Sequence, residues 1–218
     1  MDRVSSSLIF EALSYGCISN SAYLSINNMC AWILDTYGNE VQKSHWLTRI
    51  AALDLFASYC LTEPNSGSDS RSMKTNAKRV LIIYLPQDGD DYIINGSKCF
   101  ITGGSVSDIY FVMCKTAENE VSTLMVEKGT KGNIIIDVYI GLSFGKLERK
   151  MGWNSSPTST VMFEDVRVPY GNLVGKPGDG FKIAMKALDG GRVNIGSCSL
   201  GGAAYAFDKT KEYLHIRK

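Results

Sequence analysis

The apolar positions of the chain change period twice. Ile26, Met29, Cys30, Ile33, Leu34 and Tyr37 recur at the 3.6-residue spacing of a helix, and Gly38 follows where a C′ cap is expected. Asn39 with Gln42 then reads as a capping box opening another helix. From about residue 58 the spacing shortens. "YIING", "DIYFVMC", "VSTLMVEK" and "STVMFEDVRVP" are short runs rich in β-branched and aromatic residues, bounded by Gly, Asn or Asp. After Pro169 the helical period returns. Phe181, Ala184, Met185 and Leu188 form a stripe that is expected to end at Asp189-Gly190-Gly191-Arg192. There the chain breaks, or Asp189 caps a second helix. Val193, Leu200, Phe207 and Leu214 carry that helix to the terminus. Gly196, Ser197, Gly201, Gly202, Ala203 and Ala204 keep its surface low, which permits close approach of another helix. No helix follows it in the chain, so it reads as interrupted rather than finished.

These patterns predict an α+β chain in three parts. A partial N-terminal helical domain spans 1–57, a middle β-barrel or β-sandwich domain 58–170, and the start of a C-terminal helical bundle 171–218. No helix alternates with the short strands, which disfavours a Rossmann sheet.

Composition narrows the functional classes. The net charge of +1 gives no reason to expect a nucleic-acid partner. No apolar run approaches the ~20 residues of a bilayer span, and the first residues carry no signal-peptide pattern. The six cysteines (Cys17, Cys30, Cys60, Cys99, Cys114 and Cys198) include no C-x-x-C pair and stand beside only two histidines, so no metal site is expected. Lying in apolar segments, the cysteines are expected to be buried thiols.

Short motifs give two candidates. Gly141-Leu142-Ser143-Phe144-Gly145 matches the G-x-S-x-G nucleophile elbow, with Asp165 or Asp189 and then His215 in permissible order. A serine hydrolase at Ser143 is therefore one reading, although the segment that follows leads back into strands. The other candidate is the pair of hydroxyl-bearing loops Thr62–Ser68 and "FITGG" (100 to 104). Neutral donors on two loops suit a flat heterocycle such as a flavin, whose reduced ring gains charge. Neither a Walker loop nor a G-x-G-x-x-G turn is present. Arg192, poorly placed for a helix dipole at a helix start, suggests an anionic ligand.

"YCLTEPNSGSD", "YIINGSKCFITGG", "GWNSSPTSTVMFEDVRVP" and "GDGFKIAMKALDGGR", in that order, resemble the acyl-CoA dehydrogenase family over nearly the whole chain. The resemblance implies FAD-dependent α,β-dehydrogenation of a short branched acyl-CoA such as isobutyryl-CoA, a step of valine breakdown. It also implies electron transfer to an electron-transfer flavoprotein, a homotetramer and a home in the mitochondrial matrix. By position, Tyr59, Cys60, Leu61, Thr62 and Ser68 would contact FAD, with Ser68 also touching the acyl-CoA. Phe100, Ile101 and Thr102 would form a second flavin segment. Asp189, Gly190, Gly191 and Arg192 would meet the CoA portion, and Arg217 the FAD pyrophosphate of a neighbouring subunit.

The departures from the family pattern also carry expectations. The chain starts inside the N-terminal helical domain without a transit peptide and stops within the C-terminal bundle. The family's glutamate base would then lie outside it, and where some members carry an acid this chain has Gly191. Reduced activity follows, or a role as a non-catalytic remnant or decoy subunit. Residues 80–87 and 133–140 look added and read as translated intron or a gene-model error. Asn65 replaces a common Gly; if that position needs φ > 0, Asn is the next most tolerant residue, at a cost of about 1 kcal/mol.

Overall fold

The computed structural model describes residues 2–82, 89–130 and 141–217. Helices α1 (Arg3–Gly16) and α2 (Ile18–Tyr37) come first, followed by α3 (Glu40–Gln42), a π-helical turn (Lys43–Leu47) and α4 (Thr48–Ala51). The capping box forms as expected: Gln42 N–H donates to the Asn39 side chain, and the Gln42 side chain accepts from Asn39 N–H. Gly38 does follow α2, but with φ −69° rather than in the left-handed region. Close contact is what restricts this position, since a Cβ there would lie 2.5 Å from the Leu34 carbonyl oxygen.

Eight strands follow among the described residues: β1 (Ala57–Cys60), β2 (Asn76–Ile82), β3 (Gly89–Thr102), β4 (Ile109–Ala117), β5 (Glu120–Glu127), β6 (Leu142–Phe144), β7 (Thr158–Pro169) and β8 (Leu173–Val174). They form one sheet in the order β6-β7-β3-β2-β4-β5-β8, with β1 parallel to β4. The sheet curls around an inner core to which residues of β1 and of every strand from β2 to β5 contribute, closed by Val161, Phe163 and Leu173. Strand β4 is buried on both faces. Tyr110, Val112 and Cys114 enter that inner core, whereas Ile109, Phe111 and Met113 pack under the helices. Such a strand reads as a continuous apolar run because neither face meets water.

The second core joins this outer sheet face to α2 and to the long helix α5 (Gly180–Ile216), through Ile33, Leu34, Ile183 and Ala184. Helix α5 is continuous for 37 residues, which corrects the expected break at Asp189–Arg192. Asp189 is not a cap; it lies mid-helix. The glycine pair weakens the helix by about 1 kcal/mol per residue relative to alanine. Buried Ile183, Ala184 and Ala187 before it, and Asn194, Ser197 and Cys198 after it, hold the helix through that point.

Residues 80–82 of the first segment that looked added extend β2 antiparallel to β3, Val80 opposite Asp91. Residues 83–87, and all of 133–140, lie outside the described residues. Five of the six cysteines are buried as expected, but Cys17 is exposed because it forms the joint between α1 and α2.

Candidate functional site

Asn27, buried in α2, fixes where β1 begins: its side-chain oxygen accepts the Ala57 N–H at 2.9 Å. Strand β1 then carries Tyr59 toward α5, where the phenol donates to the Ala184 carbonyl at 3.1 Å. Beyond β1, Glu63 and Ser66 exchange two backbone hydrogen bonds around Pro64-Asn65. This tight turn overturns the expectation for Asn65. The non-glycine residues with positive φ are Leu53, Phe100, Trp153 and Asp165 among the described residues, and Asn65 is not one of them. Proline suits the second position of turns that need no positive φ at the third.

Phe100 is one of those four, with φ 57°, at a register shift between β3 and β7. The residue is 67% exposed. A bulky residue held in the left-handed region is strained, and such strain collects at functional sites. Gly103 (φ +76°) completes the turn, where a Cβ would lie 2.3 Å from Ser107 Oγ. Ser58 Oγ donates to the Thr102 carbonyl at 2.6 Å and holds the strand end against β1.

These constraints open a cleft of about 300 Å³. Tyr59, Leu61, Thr62 and Ser68 line one side, and Phe100, Ile101 and Thr102 another. Met185, Leu188 and Arg192 of α5 and Ile26 and Met29 of α2 complete it. The two hydroxyl-bearing loops thus face one space. Neither the Thr62 nor the Thr102 hydroxyl has a hydrogen-bond partner among the described residues. No carboxylate lines this cleft among the described residues. Neutral donors, an exposed aromatic face and apolar walls fit a flat, largely neutral ring better than a metal ion.

Other predicted residues lie elsewhere. Cys60 points into the inner core of the sheet, so only its backbone can serve the cleft. Gly190 and Gly191 border a second opening of about 400 Å³, shared with Trp32 and Lys186. Asp189 is exposed on the same helix and borders neither. Arg217 caps the far end of α5, about 38 Å along the axis from Arg192 at 1.5 Å per residue. Ser143 is not a nucleophile elbow. It sits mid-strand in β6, antiparallel to β7 and opposite Met162, whereas an elbow needs a strand-to-helix turn. Asp165 is held by Asn95.

Two functional candidates were not foreseen from the sequence. Lys98 is fully buried, and its ammonium donates to the Leu61 carbonyl at 3.0 Å and to Glu63 Oε1 at 2.8 Å. Glu63 also accepts the Lys74 N–H at 2.6 Å and the Thr75 N–H at 3.0 Å. Burial pushes the Lys98 ammonium down, an effect that Glu63 partly offsets. For Glu63, burial works upward, but the Lys74 N–H and Lys98 outweigh it and hold the carboxyl below its usual range. A lysine inside a strand was the only available signal, and its partner lies 35 residues away.

Three family models match in chain order. They are "Acyl-CoA dehydrogenase, N-terminal domain" over residues 1–54, "middle domain" over 58–166 and "C-terminal domain" over 178–218. Among curated relatives, "Isobutyryl-CoA dehydrogenase, mitochondrial" of Bos taurus is 49% identical over 221 residues, covering 100% of this chain and 49% of its own length. The chain therefore spans about half the length of the curated relatives it matches. A chain of the solved structure described as "Electron transferring flavoprotein of Acidaminococcus fermentans" superposes with a TM-score of 0.87 at 37% identity, covering 100% of this chain and 54% of that one. "Acyl-CoA Dehydrogenase complexed with FAD from Bacillus anthracis" matches with a TM-score of 0.82 at 33% identity, covering 100% and 35%.

Proposed function

The chain belongs to the acyl-CoA dehydrogenase family, and on that premise we propose that its cleft is the flavin-facing side of an α,β-dehydrogenation site for a short branched acyl-CoA such as isobutyryl-CoA. The observation that carries this reading is the meeting of residues 59–68 with 100–102 in one cleft that Arg192 also borders. A solved relative at 33% identity holds FAD by its printed name, and the bovine relative acts on isobutyryl-CoA by its own.

In this reading the Thr62 and Thr102 hydroxyls donate hydrogen bonds to the polar edge of the isoalloxazine ring. Tyr59, Leu61, Phe100 and Ile101 exclude water from its faces, and the Cys60 backbone borders it. Ser68 stands between ring and acyl thioester. Arg192, with Asp189, Gly190 and Gly191 beside it, serves the CoA portion. When bound, FAD supplies the acceptor for the hydride that leaves the acyl β-carbon. The α-proton needs a carboxylate, and none of the described cleft residues provides one, so in this reading the base is a group other than those residues. Arg217 serves the FAD pyrophosphate of a neighbouring subunit in a homotetramer. Electrons pass to an electron-transfer flavoprotein, and the protein works in the mitochondrial matrix.

Titration of the purified 218-residue chain with FAD, followed by flavin fluorescence, tests the site. Saturable binding without isobutyryl-CoA oxidation is expected. Absence of binding overturns the cofactor assignment, and turnover by this chain alone overturns the missing base.

A further inference from the structure

We propose that Lys98 is a positioning residue that holds Thr62 at a fixed place opposite Phe100–Thr102, with Glu63 as the anchor of its ammonium. The inference rests on the FAD reading of the cleft and deepens it.

The geometry is specific to the residues around Thr62. Lys98 Nζ donates to the carbonyl of Leu61, just before Thr62, and to the carboxylate of Glu63, just after it. The carbonyl of Thr62 itself accepts the N–H of Cys99 at 2.9 Å. Residues 61–63 are therefore tied to Lys98 and Cys99, which directly precede the cleft residues Phe100–Thr102. The strained Phe100 follows directly. Glu63 is anchored in turn by the N–H groups of Lys74 and Thr75, so the ammonium has a fixed target.

A buried ion pair is weak evidence of stabilisation, because desolvation offsets its attraction and a well-packed apolar pair can replace it. Its directional bonds can instead fix a register that apolar packing leaves loose. Here that register sets where the Thr62 hydroxyl stands relative to the Thr102 hydroxyl. Small misplacement of positioned groups costs binding and rate well beyond the energy of one contact. Neither Lys98 nor Glu63 lines the cleft, so each acts only through the backbone that carries Thr62.

Three variants of the full 218-residue chain test this: Lys98→Met, Glu63→Gln and the double variant. For each, FAD affinity is measured by fluorescence, the bound flavin by visible circular dichroism, and the melting midpoint on flavin-free protein. Both variants lacking the amine are expected to lose FAD affinity about tenfold or more and to alter the flavin dichroism. Glu63→Gln keeps a donor to the Leu61 carbonyl and is expected to stay within about threefold of wild type. Losses that rank with the melting midpoint instead of with the presence of the amine overturn the proposal. So does a double variant that binds FAD with wild-type affinity and dichroism. If the wild-type chain itself binds no FAD, the functional reading falls and this inference falls with it; wild-type binding matched by the double variant overturns the inference alone.

Discussion

The two halves of α5 carry similar sequence patterns and meet different fates. In the first half Ile183, Ala184 and Ala187 are buried under the sheet, and Met185, Leu188 and Arg192 border the cleft. In the second half Leu200, Phe207, Leu214 and Ile216 are exposed. Both halves have apolar stripes, so periodicity alone does not decide burial. The inner half lies across a sheet that needs covering. The outer half meets α1, through a Ser7–Ser197 hydroxyl contact at 2.6 Å near the midpoint and a Tyr15–Asp208 hydrogen bond at 3.1 Å, and meets the start of α2 where Ile18 lies against Gly202. Gly201 stands between the two regimes. A Cβ there would lie 2.0 Å from the Glu11 carbonyl oxygen, so the approach of α1 depends on the missing side chain.

The largest effect should therefore come at that crossing. Gly201→Leu is expected to destabilise by about 3 kcal/mol or more, through backbone displacement that no rotamer relieves. Urea unfolding of flavin-free protein measures it, and a wild-type midpoint would show that α1 does not pack as described. Next comes the direct contrast of the halves. Ile183→Ala should cost about 2–5 kcal/mol, because it leaves a cavity between helix and sheet. Leu214→Ala should stay within about 0.5 kcal/mol, and equal losses at the two sites would erase the distinction.

Ligand binding sharpens the same contrast. Arg192→Ala is expected to weaken CoA binding about tenfold, or ~1.4 kcal/mol, while Arg217→Ala leaves it unchanged in calorimetry of the isolated chain. Acid should act first on the cleft side. Glu63 has its folded pKa lowered, so its contribution is complete above the unfolded value of about 4.3 and is lost as pH falls through the lower folded value. Urea midpoints taken between about pH 6 and 3 should drop at the acid end, and the slope should flatten in Glu63→Gln. The smallest effect is a gain. Gly196 has nothing within 4 Å of a built Cβ, so Gly196→Ala should add about 0.5–1 kcal/mol.

Much of the local structure was legible from the sequence. The Asn39–Gln42 box forms because its two side chains need only each other's backbone, and the long strands follow their β-branched runs. Sequence pattern and structure part where a residue's surroundings outweigh its type. Asp189-Gly190-Gly191-Arg192 has the composition of a break, yet packing on both sides keeps it helical. Asn65 looked like a left-handed substitute for glycine, yet the Glu63–Ser66 turn holds it without a positive φ. Phe100 belongs to the second flavin segment that the resemblance implies, but nothing in the sequence marked its left-handed backbone.

By itself the sequence determined the family, through motifs whose order and spacing chance does not reproduce, and it determined the alternation of helix and strand, because side-chain period follows backbone geometry. Only the tertiary structure decided which of those motifs share a cleft. Residues 59–68 and 100–102 face each other because β1 pairs with β4, because β3 kinks at Phe100, and because a buried lysine joins Leu61 and Glu63 across the gap. That joining is long-range and needs a dry interior to direct it. Such a bond leaves no local pattern in the chain.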